Sequence, residues 1–170
     1  MNLVGRHRLV LAIYPNARGF AFVVFEGPFA PVDWGTMVAR GAAKNRQCIR
    51  RVGELFSRFQ PDVVVLQDMS TTPRARRIQR LNEAIAMLGE TQGIILTKRS
   101  REDVRKQFEY LHSPTKHQIA IAIARHVPAF ERLLPPVRKP WMSESGRMGI
   151  FDAAALIFAF FGSSKPELEQ

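Results

Sequence analysis

The chain has 170 residues, a formal net charge of +10 and a pI near 10.8. This length suits one domain with a sizeable core, and the charge predicts nucleic acid as a partner in preference to an acidic membrane surface. Cys48 is the only cysteine, which excludes an intrachain disulfide and fits a reducing, cytoplasmic compartment. We expect no signal peptide and no membrane role, because the apolar run after Asp152 is too short to span a bilayer.

The first part of the chain predicts an antiparallel meander. Short apolar or β-rich segments alternate with turn-forming residues such as Pro15, Asn16 and Gly27. The predicted strands cover residues 8–13, 20–26 and 32–39. Short turns between consecutive strands favour antiparallel pairing.

The rest of the chain predicts helices alternating with two buried strands. In chain order these are a helix from residue 44, a strand at 62–67, a helix at 73–90 opened by Pro73, a strand at 93–97, short helices at 102–110 and 115–126, and a closing helix at 149–162. We therefore expect one α/β domain over residues 1–162, with a mixed five-stranded sheet between helical layers. Residues 163–170 read as a flexible polar tail.

Asp152 is the one carboxylate in the apolar closing helix. A charge in apolar surroundings is costly, so it needs a metal, a hydrogen-bonding partner or a cap position. Asp152 also has two structural explanations. It could be an acid in the first turn of the helix, where the helix dipole stabilises its charge, or it could form a salt bridge with Arg147 or Arg138. We favour these over metal ligation.

Five phrases in order along the chain suggest a family. They are Ala12-Ile13-Tyr14-Pro15-Asn16, Gly19-Phe20, Val65-Leu66-Gln67-Asp68, Lys116-His117-Gln118-Ile119, and the run from Gly149 through Asp152 to Leu156. Their order and spacing, across about residues 8 to 162, resemble the RuvC-type Holliday junction resolvases of the RNase H-like superfamily. The resemblance implies an RNase H-like three-layer α/β/α fold, with the meander followed by parallel strands. It also implies phosphodiester hydrolysis by four carboxylates around one or two divalent cations.

Three of those four acid positions hold other residues here. Tyr14 stands at the first, Gln67 at the second and Gly149 at the third, so that only Asp152 matches. A phenol is a poor Mg²⁺ ligand at neutral pH, an amide offers a neutral oxygen, and glycine offers no side chain. The resemblance therefore implies a degraded centre with no cofactor, and Mg²⁺ or Mn²⁺ only if the protein is active.

Other acids offer an alternative metal site. Asp68 follows Gln67, and its side chain points away from that of Gln67 unless the strand ends or bulges there. Glu144 lies in the loop before the closing helix. A rebuilt set of Asp68, Glu144 and Asp152 would bind Mg²⁺ or Mn²⁺, but hard cations normally need several converging oxygens, and we disfavour it.

Tyr14 and Gln67 also have structural explanations. Tyr14 is expected to pack on Trp34 or Trp141 with its hydroxyl paired, and Gln67 to form a hydrogen-bonding bridge across a former metal site. Trp141 itself is expected to pack on the core in preference to stacking on a base.

Basic residues form three groups that we predict bind nucleic acid. They are Arg74, Arg76, Arg77 and Arg80 near the start of one helix; Lys98, Arg99, Arg101, Arg105 and Lys106 after the fifth strand; and Arg138 with Lys139. The alternative for the first group is a solvated helix face, but we favour phosphate contact, because a helix N-terminus attracts anions. Contacts to backbone phosphates give affinity with little sequence reading.

Three functions follow from these observations. The preferred one is a RuvC-like protein that binds nucleic acid, DNA before RNA, with a degenerate and inactive nuclease centre. The second is an active metal-dependent endonuclease with the rebuilt acid set. The third is a structural module without a nucleic-acid role that keeps the fold and forms a homodimer through its helices.

Overall fold

A mixed five-stranded sheet forms the centre of the protein. The structure, a computed structural model, describes residues 8–71 and 74–163. The strands are β1 (Leu9–Pro15), β2 (Gly19–Glu26), β3 (Pro31–Val38), β4 (Val63–Gln67) and β5 (Ile95–Arg99). They lie in the order β3-β2-β1-β4-β5, in which β1, β2 and β3 pair antiparallel and β4 pairs parallel with both β1 and β5. The predicted meander followed by parallel strands is confirmed.

In the described residues, five α-helices surround the sheet. They are α1 (Lys44–Phe59), α2 (Arg76–Thr91), α3 (Arg101–Gln107), α4 (Lys116–His126) and α5 (Met148–Ser163), with 3-10 turns at Glu109–Leu111 and Pro128–Leu133. Capping boxes start α3 at Ser100 and α4 at Thr115. The predicted opening of the second helix at Pro73 lies outside the described residues, as does the tail from residue 164 onward. No helix in the described ranges is long and apolar enough to cross a membrane.

Side chains alternate between the two faces of each strand, which produces two cores. Leu11, Val64 and Leu66 face α1 and α2, whereas Val10 and Val65 face α4 and α5. Because both faces of β4 are covered, all five of its residues are buried. The predicted three-layer arrangement is thereby confirmed.

The topology also fixes where a site can form. The parallel strands β1, β4 and β5 end at the same edge of the sheet, so that Tyr14, Gln67 and Arg99 lie near their carboxyl ends. Helix α5 packs closely on β1 and β2, with Ala153 and Ala154 fully buried. This packing brings Asp152 to the edge where the strands end.

Candidate functional site

Tyr14, Gln67 and Asp152 line one cavity at the carboxyl ends of the strands. Its volume is about 290 Å³, and α3, α4 and α5 supply its other walls. A second cavity beside it is lined by Tyr14, Glu144, Gly149 and Asp152. The structure therefore brings together the positions that the resemblance assigns to the metal-binding acids.

Arg74 joins the first two of these positions. Its Nη1 atom donates hydrogen bonds to the Tyr14 hydroxyl at 3.1 Å and to Gln67 Oε1 at 2.8 Å. Its Nη2 atom donates to the Pro15 carbonyl at 3.3 Å, and its Cζ atom lies 5.2 Å from the centroid of the Tyr14 ring. The guanidinium thus places one positive charge where two acids are expected in the resembled family. The Tyr14 hydroxyl is paired as expected, but with Arg74.

Lys116 supplies a second positive charge near Tyr14. It is the first residue of α4, and its Nζ atom lies 3.1 Å from Asp152 Oδ2 and 2.6 Å from Glu144 Oε1. The expected salt bridges of Asp152 with Arg147 or Arg138 are wrong, because Lys116 is its partner. The first-turn role is also wrong, since α5 begins at Met148 and Asp152 lies one turn further along.

Burial and these charges set the protonation of the site. Burial raises the pKa of Asp152 to about 6, although the Lys116 ammonium opposes the shift. Burial and, after it, the Asp152 charge also raise the pKa of Tyr14 above its ordinary value. Burial alone lowers the pKa of Lys116, but Asp152 and Glu144 together raise it above its ordinary value. Lys116 therefore stays charged at neutral pH, and Tyr14 stays neutral.

Gly149 leaves no room for the acid that the resemblance implies. A Cβ atom at this position would lie 2.9 Å from the Cβ of Ala21 and 3.2 Å from Asn16 Nδ2. The first distance is shorter than ordinary carbon contacts, so even a methyl group requires the neighbours to shift. A carboxylate side chain would require a larger rearrangement.

The three acids of the rebuilt set do not converge. The Asp68 carboxylate accepts a hydrogen bond from the Ser70 amide at 2.9 Å, and hydrogen bonds from Ser70 hold the pKa of Asp68 below its ordinary value. Asp68 lines neither cavity, and Glu144 meets Asp152 through Lys116. Within residues 8–71 and 74–163, no group of three or more His, Cys, Asp or Glu side chains is arranged to hold a metal ion. The residues present do not fit a divalent cation.

The predicted basic residues fall into two structural classes. Arg74 and Arg77 point inward, and Arg77 donates to Asn45 Oδ1 at 2.9 Å and to the Asn16 carbonyl at 2.8 Å. The Arg99 guanidinium lies 5.5 Å from the Phe160 ring centroid. The exposed members are Arg76, Arg80, Lys98, Arg101, Arg105, Lys106, Arg138 and Lys139. Of the exposed residues, Arg101 and Arg105 border the cavity that contains Asp152, which places their charge beside it.

Two residues behave differently from what the sequence suggests. Trp141 is 79% exposed, so the expectation that it packs on the core is wrong. The Nζ atom of Lys139 lies 5.4 Å from the centroid of the Trp141 ring.

The sequence assigned no role to Lys116, although this residue opens one of the family-like phrases. Its position directly after the capping residue Thr115 signals a helix start, but nothing in the sequence identifies its carboxylate partners.

Comparison with known proteins identifies the fold. The sequence matches no protein-family model and no curated protein. Among solved structures, T. thermophilus RuvC in complex with a Holliday junction substrate superposes with a TM-score of 0.66 at 16% identity, covering 92% of this chain and 95% of that one. The yeast mitochondrial Holliday junction resolvase Ydc2 gives 0.58 at 11% identity, covering 94% and 80%. The fowlpox virus resolvase in complex with Holliday junction DNA gives 0.54 at 11% identity, covering 91% and 99%. The predicted RuvC-type, RNase H-like fold is confirmed.

Proposed function

We propose that this protein binds DNA through a RuvC-like fold whose nuclease centre is inactive. The observation that carries the proposal is the position of Lys116, whose ammonium lies between the Asp152 and Glu144 carboxylates. A divalent cation bound to Asp152 would have to displace this ammonium or share the carboxylate with it. Neither arrangement leaves enough anionic oxygen to hold Mg²⁺ or Mn²⁺.

Arg74 argues in the same direction. Mg²⁺ sites in proteins use carboxylate, carbonyl and water oxygens, and the oxygens of Tyr14 and Gln67 already accept hydrogen bonds from this guanidinium. The positive charge of Arg74 would also repel a divalent cation placed beside these two oxygens. The centre therefore uses side-chain cations in place of a metal, which keeps its geometry but supplies no activated water for hydrolysis.

Charge and fold support DNA as the ligand. The net charge of +10 favours a polyanion, and two of the similar structures were solved with Holliday junction DNA. Arg101 and Arg105 are exposed at the edge of the cavity, where they can contact backbone phosphates. We assign the ligand as branched DNA.

Binding is tested with a labelled four-way junction and a linear duplex over a series of salt concentrations. We expect affinity to fall linearly on logarithmic axes, and the double variant Arg101→Ala/Arg105→Ala to have a shallower slope by about 2. The matched control is Arg46→Ala/Arg50→Ala, which removes the same charge from exposed positions on α1. Equal loss in both variants would show that net charge alone, without this surface, drives binding.

Cleavage is tested on the same junction with Mg²⁺ and with Mn²⁺. We expect intact DNA and no metal-dependent rise in melting temperature, because a bound metal stabilises the folded state by mass action. Metal-dependent cleavage that Asp152→Asn abolishes would establish an active endonuclease instead. Absence of DNA binding at low salt would instead support the structural module. Light scattering would then measure whether the protein associates with itself.

A further inference from the structure

The cavity that contains Asp152 has the character of a small ligand site. Its volume of about 290 Å³ is just below the usual range for ligand pockets, about 300–1,000 Å³, as suits a small ligand. Apolar side chains from three helices form most of its wall: Val104, Ile119, Met148, Phe151, Ala155 and Leu156. Such walls suit an apolar surface such as the face of a planar ring.

Gln67 presents its side-chain amide to this cavity. Its Oε1 atom accepts from Arg74, and this orientation of the amide is forced because a guanidinium cannot accept hydrogen bonds. The Nε2 atom is therefore turned the other way, and it donates no hydrogen bond to any described residue. Gln67 is only 4% exposed, and the cavity is the space that its side chain lines. The amide hydrogens are therefore available to a ligand that carries a hydrogen-bond acceptor.

Tyr14 and Asp152 complete the polar side of the cavity. The Tyr14 hydroxyl accepts from Arg74 and donates to none of the residues in the described ranges, which leaves its proton available. The Asp152 carboxylate is an acceptor with Lys116 on one oxygen. Two donors and one acceptor opposite apolar walls match a ring that carries both hydrogen-bonding types at its edge. A phosphate fits poorly here, because the Asp152 carboxylate would repel it.

We propose that this cavity receives one unstacked nucleobase of the bound DNA. The inference rests on the proposed DNA binding and adds a site for a base where the resembled fold would place a metal. Gln67 and Tyr14 donate to the base edge, Asp152 accepts from it, and Arg101 and Arg105 hold the phosphates at the entrance. A base beside a branch point costs less to unstack than a base inside a continuous duplex. A junction is therefore the expected source of the base.

The test uses four-way junctions that carry 2-aminopurine, in turn, at each position flanking the branch point. Fluorescence of this base rises when it leaves the stack, and we expect a rise at one of these positions on binding. Ala155→Leu fills the cavity without removing a polar group, and it should abolish the rise and weaken junction binding about ten-fold, as loss of one base contact does. Ala42→Leu, at an exposed alanine before α1, is the control and should bind like the parent protein.

The outcomes separate this inference from the proposed function. Junction binding without a fluorescence change at any position overturns the base site and leaves DNA binding intact, whereas no binding overturns both. If Ala155→Leu fails to fold, Val104→Phe fills the cavity from α3, and it must abolish the same signal. A rise in melting temperature with nucleoside monophosphates, blocked by the filled cavity and without any junction signal, would assign the cavity to free nucleotides and overturn DNA as the source.

Discussion

Replacing Asp152 by Asn should make the protein more stable at neutral pH. Burial raises the pKa of this carboxyl from its ordinary 3.8 to about 6, even with Lys116 at 3.1 Å. The protonated form is therefore preferred in the folded state. Stability from this group is fully present below pH 3.8 and is lost as the pH rises through 6. Asn has the shape of the protonated acid and never takes a charge.

The size of the effect follows from the shift. At about 1.4 kcal/mol per pKa unit, the difference corresponds to about 3 kcal/mol of unfolding free energy above pH 7. For a chain of this length, each kcal/mol moves the melting temperature by about 2–4 °C, so the gain is about 6–12 °C. The same comparison near pH 4 should show almost no difference, because the carboxyl is then mostly protonated in the folded state.

Urea unfolding of both proteins from pH 4 to pH 8 measures this difference. Comparing the variant with the parent protein removes the contribution of ionisable groups far from position 152. Lys116 and Tyr14 interact with Asp152, but neither changes its charge between pH 4 and pH 8, because the pKa of each is raised above its ordinary value. Glu144→Gln is the control, since its half-exposed ion pair should contribute about 1 kcal/mol or less. An Asn variant that is less stable at pH 8, or a gain that is the same at pH 4, would refute the reasoning and favour a functional role for the charge.

Three further predictions concern the same centre. Arg74→Met should lower the unfolding free energy by about 1–3 kcal/mol, because Gln67 and the Pro15 carbonyl lose their donor, while exposed Arg76→Met should change it by less than about 0.5 kcal/mol in urea titrations. Gly149→Ala should lower the unfolding free energy by about 1–3 kcal/mol, measured by calorimetry, because its Cβ would contact Ala21 too closely. Gly53→Ala lies inside α1 with its nearest neighbour at 3.9 Å, and it should raise the unfolding free energy by about 0.5–1 kcal/mol. Lys116→Met should raise the pKa of Asp152 further, measured from its carboxyl carbon by NMR titration; an unchanged or lower pKa would show that the ammonium does not stabilise that charge.

The sheet could be predicted from the sequence because its signals are local. Short turns after β1 and β2 dictate antiparallel pairing, and the continuous apolar run of β4 indicates a strand covered on both faces. Helical periodicity located α1 and α2, although α2 begins at Arg76 among the described residues. These features depend on residues close together in the chain, which a sequence displays directly.

The contacts of the site could not be predicted in the same way. Lys116 on α4 forms an ion pair with Asp152 on α5, and Arg74 forms a hydrogen bond with Tyr14, which lies 60 positions earlier in the sequence. Long basic side chains can reach several partners, so their destination depends on the assembled fold. Trp141 shows the converse case, because an aromatic residue in a proline-rich loop can remain exposed when no helix covers it. The resemblance therefore pointed to Tyr14, Gln67 and Asp152, but not to the cations Arg74 and Lys116 that contact them.

The close packing around Gly149 bears on how the protein can change over evolutionary time. A lone Gly149→Asp mutation meets Ala21, and a lone Tyr14→Asp mutation gives Arg74 a salt-bridge partner before any metal can arrive. A lone Gln67→Glu mutation does the same. A metal centre built from four carboxylates would therefore require several substitutions at once, because each one alone either clashes with a neighbour or pairs with Arg74. No single one of these substitutions builds a metal site at this centre.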